Sequence, residues 1–176
     1  GNPAMSYFYA AGSDLRYVRA SDALGASWGA PISIDTATAV GQYASLAVVA
    51  GNPAISYYDS TNGDLRYVRA NDASGTSWGS PVFVDAVGTV GQWTSLEVDA
   101  GNPAISYQAP TGLRYVRANN TTGSNWGGPI NIEGNGQFTS LAVVDGNAAI
   151  SHYGPVLRYN RAIDTTGTNW SPGITV

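Results

Sequence analysis

A stacked array of four small all-β units is the architecture this sequence predicts, and three observations predict it. One phrase recurs: GNPAMSY…DLRYVRA…W, GNPAISY…DLRYVRA…W, GNPAISY…GLRYVRA…W and GNAAISH…VLRYNRA…W, with Asn2, Asn52, Asn102 and Asn147 spaced 50, 50 and 45 residues apart. A period of that size marks units too thin to bury an apolar face alone, which become stable by stacking on neighbours. The composition, with 22 Gly, 11% aromatic and 11% charged residues, suits short strands joined by tight polar turns. No ten-residue window shows helical periodicity.

The second copy shows the elements best. A small apolar strand, Ser45-Leu46-Ala47-Val48-Val49, ends at the turn Ala50-Gly51-Asn52-Pro53. Ala54-Ile55-Ser56-Tyr57-Tyr58 follows, and Asn62-Gly63 is a strong hairpin signal leading into Leu65-Arg66-Tyr67-Val68-Arg69-Ala70. The fourth strand is expected from Trp78 to Asp85. Four short antiparallel strands in 45 to 50 residues is the pattern of a β-propeller blade, with the SLAVV strand innermost because it lines the crowded axis. The repeats run about 1–41, 42–91, 92–136 and 137–176, forming one domain or a propeller fragment expected to close into one body. The first copy lacks an innermost strand, so the chain reads as a piece of something longer, completed by further repeats or by another subunit.

Composition excludes several partners. All eight basic residues are Arg, and 12 acids leave a net charge of -4, which argues against a phosphate-backbone partner. There is no cysteine, hence no disulfide framework or thiolate metal site, and no cofactor is expected. No apolar run approaches the roughly 20 residues of a helical membrane span.

The hairpins between the third and fourth strands carry SDALGASW (21–28), NDASGTSW (71–78), NNTTGSNW (119–126) and IDTTGTNW (163–170). These resemble the Asp-box (BNR) hairpins of sialidase-like propellers, whose pattern is S-x-D-x-G-x-T-W. Gly25, Gly75, Gly123 and Gly167 match its glycine, and Trp28, Trp78, Trp126 and Trp170 its tryptophan. Asp22, Asp72 and Asp164 sit one residue early, and the third copy has Asn120. The resemblance implies blade architecture, since in that family the box is a folding element away from the active site. It also raises sialidase chemistry, which resembles a clamp of three arginines with a Tyr–Glu nucleophile pair and an Asp acid/base. Here every Arg belongs to the repeated LRYVRA strand and none is unique, so a non-catalytic role is expected.

The arginines have a structural explanation. Residues three apart on a strand point to opposite faces, so Arg66 and Arg69 turn toward different neighbouring blades. A register pairing Asn71 with Trp78 places Arg66 diagonal to Asp85, and by repetition Arg16 beside Asp35 and Arg114 beside Glu133. Such bidentate pairing favours Arg over Lys. His152 occupies the slot of Tyr7, Tyr57 and Tyr107 and reads as a Tyr replacement; Asp59 to Asp64 reads as a turn, not a calcium loop.

Loop lengths separate two faces. From Leu15, Leu65, Leu113 and Leu157 to the box Trp is 13 residues in every copy, and from Gln42, Gln92 and Gln137 to the next turn Asn is 10. All length variation falls between strands two and three and between blades, at one end of the array. Function is expected there. The candidate ligand-binding residues are Tyr9, Tyr58, Asp59 and Gln108 from within blades, and Gln42-Tyr43, Gln92-Trp93 and Gln137-Phe138 where the innermost strands begin. An amide beside an aromatic ring suits a glycan or a protein partner. The expected role is a binding module of an extracellular, cell-surface or periplasmic location, with a structural assembly subunit or a fragment of a sialidase-like glycoside hydrolase as the alternatives.

Overall fold

A computed structural model describes all of residues 1–176. The chain forms fifteen strands and no helix. Blade 1 contains β1 (Ala4–Tyr9), β2 (Asp14–Arg19) and β3 (Ile32–Asp35). Blade 2 contains β4 (Val40–Val49), β5 (Asn52–Asp59), β6 (Asp64–Arg69) and β7 (Val82–Asp85). Blade 3 contains β8 (Gln92–Asp99), β9 (Asn102–Ala109), β10 (Gly112–Arg117) and β11 (Ile130–Glu133). Blade 4 contains β12 (Gln137–Val144), β13 (Asn147–Tyr153), β14 (Leu157–Arg161) and β15 (Ile174–Thr175). Each is an antiparallel meander in sequence order, three-stranded in blade 1 and four-stranded in the others.

The outer strand is shorter than the sequence suggests. Trp78 makes one isolated bridge, to Ala70 and not to Asn71, and the strand proper begins at Val82. Pro81, which has no N–H to give a ladder, stands between them. A bulge between Leu65 and Arg66 then sets Asp85 opposite Leu65.

That register overturns the expected ion pairs. The acid at the end of each outer strand faces the next blade, not the arginine of its own. Asp35 accepts the Tyr57 hydroxyl at 2.7 Å and lies 3.5 Å from Arg66; Asp85 accepts Tyr107 at 2.7 Å and Arg114 at 2.8 Å. Glu133 pairs with Arg158 and sits 3.4 Å from His152, which does occupy the tyrosine slot. Arg16 of blade 1 pairs with Asp14 of its own strand. In blades 2 to 4 the second arginine of the strand binds the turn after its own innermost strand: Arg69 donates to Val49 O and Ala50 O, Arg117 to Asp99 O and Ala100 O, and Arg161 to Val144 O and Asp145 O, whereas Arg19 donates to Ala73 O of blade 2.

The box hairpins clasp blades together as well. Each Trp donates its indole N–H to the glycine carbonyl of its own loop, 2.8–3.0 Å away. Its ring meets the preceding blade's tyrosine edge-on, in the pairs Tyr17–Trp78, Tyr67–Trp126 and Tyr115–Trp170 at 5.1–5.2 Å. Glycine is required at the loop's left-handed position because a Cβ on Gly75 or Gly123 would lie 2.7 or 2.6 Å from that tyrosine ring. The core is therefore three inter-blade clusters, one per joint.

The array does not close on itself. β1 packs on β4, β4 on β8 and β8 on β12, and no comparable packing joins β12 to β1. Leu157 is 50% exposed although Leu15, Leu65 and Leu113 in its slot are fully buried. Met5 at the other end is 49% exposed although Ile55, Ile105 and Ile150 are fully buried. Four units stack; they do not form a ring.

The Asp72 carboxylate accepts the N–H groups of Ser74, Thr76 and Ser77 and the Thr76 hydroxyl. These bonds, that of the Thr76 N–H foremost, hold its pKa down to about 2. A folded pKa below the unfolded value of about 3.9 means that its contribution is present above that value and is lost as pH falls toward 2. Burial, and then the Asp59 charge, push Asp64 the other way, so its ionisation opposes folding as pH rises. A carboxyl-detected NMR titration is expected to place the Asp72 midpoint near 2 and that of Asp64 above the ordinary range; an Asp72 midpoint near 4 overturns the assignment.

Candidate functional site

The variable loops do share one end of the array. Ser60 N and Thr61 Oγ1 in the β5–β6 loop donate to Ala39 O and Thr38 O in the loop between blades 1 and 2. Val90 N before blade 3 donates to Gly63 O at 2.8 Å.

At this end the innermost strands begin with a bulge. Ladder pairing slips between Gln42 and Ser45, Gln92 and Ser95, and Gln137 and Ser140. The aromatic inside each bulge has left-handed backbone: φ is 54° at Tyr43, 48° at Trp93 and 52° at Phe138. Left-handed conformation at a bulky residue costs about 1–3 kcal/mol and persists only where the surroundings enforce it. For Tyr43 and Trp93 a bond from the next blade fixes the carbonyl; Phe138 takes the same conformation without one. Thr94 donates its hydroxyl to Tyr43 O at 3.0 Å, and Thr139 to Trp93 O at 2.8 Å. The glycine before each Gln is fixed by close packing: a Cβ on Gly41, Gly91 or Gly136 would come within 2.9 Å of the leucine of the preceding blade, Leu15, Leu65 or Leu113.

The bulges aim three rings at one another and draw in two more. Ring centroids run Tyr58–Tyr43 6.1 Å, Tyr43–Trp93 5.2 Å, Trp93–Phe138 5.0 Å and Phe138–Tyr153 6.4 Å. The row crosses blades 2, 3 and 4. Tyr43, Phe138 and Tyr153 are exposed, whereas Tyr58 is buried at its end. Beyond Tyr153 a polar recess of 340 Å³ opens between the loops of blades 3 and 4, lined by Gln108, Pro110, Asn135, Gln137 and Tyr153. Gln108 Oε1 is buried there without a hydrogen-bond partner.

Most of the expected residues thus assemble. Tyr43, Tyr58, Trp93 and Phe138 form the row, and Gln108 and Gln137 line the recess. Gln42 and Gln92 stand at the bulges, paired in register with Tyr58 and Gln108. Two residues do not belong. Asp59 is fully buried, bonded to Arg66 at 2.6 Å and to the N–H groups of Thr61 and Asn62, so it closes a turn. Tyr9 stands apart in blade 1 beneath the Arg16 guanidinium, 3.6 Å from its ring centre. Sequence reading missed Tyr153, whose signal is its alignment with Tyr58: they pair with Leu157 and Leu65 respectively.

No protein-family model matches the chain, and no curated protein matches it in sequence. Solved structures do match. The NanB sialidase from Streptococcus pneumoniae superposes with a TM-score of 0.56 at 16% identity, over 80% of this chain and 24% of that one. An α-L-arabinofuranosidase from Lactobacillus brevis gives 0.64 at 10% identity, over 97% of this chain and 68% of that one. An exo-β-1,3-galactanase from Phanerochaete chrysosporium, solved with galactose, gives 0.55 at 11% identity, over 96% and 51%. The fold is a β-propeller. This propeller array spans about a quarter of the sialidase chain.

Proposed function

We propose that the chain is a non-catalytic, extracellular glycan-binding propeller module whose ligand lies along the Tyr43–Trp93–Phe138 row and ends in the recess beside Gln108 and Gln137. The observation that carries this reading is the row itself. Three strained aromatic positions repeated in three blades set their rings 5.0–5.2 Å apart in a continuous tilted row at the variable-loop end, with amides alongside to donate to and accept from hydroxyl groups. The commitment of the arginines to blade joints and to the turns of their own blades supports a role without chemistry. We also read the box hairpins as Asp-boxes shifted by one residue, on the carboxylates of Asp22, Asp72 and Asp164 gathering the N–H groups of their own loops.

Trp93→Ala is expected to weaken binding to the best ligand on a glycan array about tenfold or more, with the β-sheet circular dichroism unchanged. Undiminished glycan binding by the folded variant overturns the placement. A second reading rests on the neighbours, all named as sugar-cleaving enzymes: the chain is then a fragment of a glycoside hydrolase. Turnover of an aryl glycoside by the 176-residue chain would establish it.

A further inference from the structure

The recess between the loops of blades 3 and 4 is a departure from the repeat. From Asp35 to Gln42 and from Asp85 to Gln92 is seven residues, whereas from Glu133 to Gln137 is four. Each longer connection carries a fully buried valine, Val40 or Val90, whose N–H donates to the hairpin of the preceding blade, at Ser13 O or Gly63 O. In the short connection that slot holds Asn135, which is exposed and makes no such bond. The shorter path lies close over the blade 3 hairpin. It passes at Gly112, in the slot of Asp14 and Asp64, where a Cβ would collide with Glu133 O.

A second replacement polarises the same place. The residue opposite the leucine of the arginine strand is Phe8 in blade 1, Tyr58 in blade 2 and Tyr153 in blade 4, but Gln108 in blade 3. The amides of the scaffold are committed: Asn2, Asn52, Asn102 and Asn147 each donate to a carbonyl of their own blade. Gln108 Oε1 is buried with no partner. An open buried acceptor costs free energy that a donor entering the recess would regain. Gln137 and Tyr153 stand alongside, and no charged side chain lines the recess.

We propose, resting on the glycan reading above, that this recess is a subsite for one uncharged sugar residue and rejects sugars bearing a carboxylate. A sugar hydroxyl donates to Gln108 Oε1, and the amides of Asn135 and Gln137 donate to and accept from its neighbours, as a neutral polyol requires. A carboxylate in the same position would give up hydration to face an acceptor oxygen, with no cation to pair with. Burying an unpaired charge in that way is strongly unfavourable. Gln108 sets the preference, since it replaces the ring that every other blade places there.

The test uses the intact 176-residue protein and matched oligosaccharide pairs that differ in charge: oligomers of galactose and galacturonate, oligomers of glucose and glucuronate, and lactose with sialyllactose. Calorimetry is expected to find the neutral member of at least one pair bound about tenfold or more tightly than its acidic partner. Gln108→Tyr, which restores the ring of the other blades, is expected to lower neutral binding about tenfold with the β-sheet circular dichroism unchanged. Asn135→Lys, at an exposed position, is expected to raise acidic relative to neutral binding about threefold. Equal or tighter binding of the acidic members, still weakened by Trp93→Ala, overturns the proposal and leaves the aromatic row standing. A preference unchanged in both recess variants places selection elsewhere and overturns it too. Absence of binding to every pair overturns the proposal, and the row with it if the glycan array is also blank.

Discussion

Asp85→Ala is expected to destabilise the protein by about 3–5 kcal/mol, the range for removing one partner of a buried ion pair. The carboxylate is 6% exposed, accepts from Tyr107 and Arg114, and belongs to the joint between blades 2 and 3. Its loss strands a fully buried phenol and a largely covered guanidinium at once. Asp85→Asn keeps an acceptor for the phenol and is expected to cost less. Combining Asp85→Ala with Arg114→Met is expected to recover part of the loss. Urea unfolding of the three variants decides the matter: a cost below about 1 kcal/mol for Asp85→Ala would mean that the joint does not depend on the pair. Against a total stability of about 5–15 kcal/mol, the expected value is a large fraction.

The second large effect comes from a methyl group. Gly123→Ala forces a left-handed backbone (φ 73°) on alanine, costing about 1–3 kcal/mol, and drives its Cβ to within 2.6 Å of the Tyr67 ring. Displacing that ring disturbs its edge-on contact with Trp126, and such overpacking adds about 1–3 kcal/mol. The chain supplies its own control. Gly25 has nearly the same φ of 71°, but its nearest neighbour is Pro3 at 3.5 Å and no preceding blade lies over it. Gly25→Ala is expected to show the conformational cost alone. Equal destabilisation of the two variants in parallel thermal melts would show that packing against Tyr67 contributes nothing.

Strand number, strand order and the face that varies were all legible in the sequence, because a repeat period and conserved loop lengths report directly on backbone geometry. The partners of the arginines were not, for a reason rooted in the repetition. The acid of a blade and the acid of the blade before it are the same kind of residue in the same place, so an offset of one repeat leaves no trace in the chain. Only the three-dimensional joint distinguishes Arg66 with Asp35 from Arg66 with Asp85. The aromatic row was legible at Tyr43, Trp93 and Phe138 as an aromatic after Gln, whereas their left-handed backbone was not, since nothing in residue type announces it. Asp59 misled because an acid in a polar loop reads as exposed, and it is Arg66, seven positions on, that draws it inside.

The last joint differs chemically from the other two. Where they use an aspartate against a tyrosine, it uses Glu133 against His152, with Asn160 in the slot of Val18, Val68 and Val116. The Asn160 amide donates to His152 Nε2 at 2.9 Å and to Glu133 at 3.1 Å, while its oxygen accepts the Gly173 N–H. A longer acid thus meets a shorter ring, and a polar bridge occupies the gap. In units otherwise so alike, this mismatch acts as an address label. Blade 4 set against blade 1 or blade 2 would present His152 to an aspartate one methylene too short, so the permuted stackings and swaps that beset tandem arrays are disfavoured at this joint, and the order of the blades is written into their contacts.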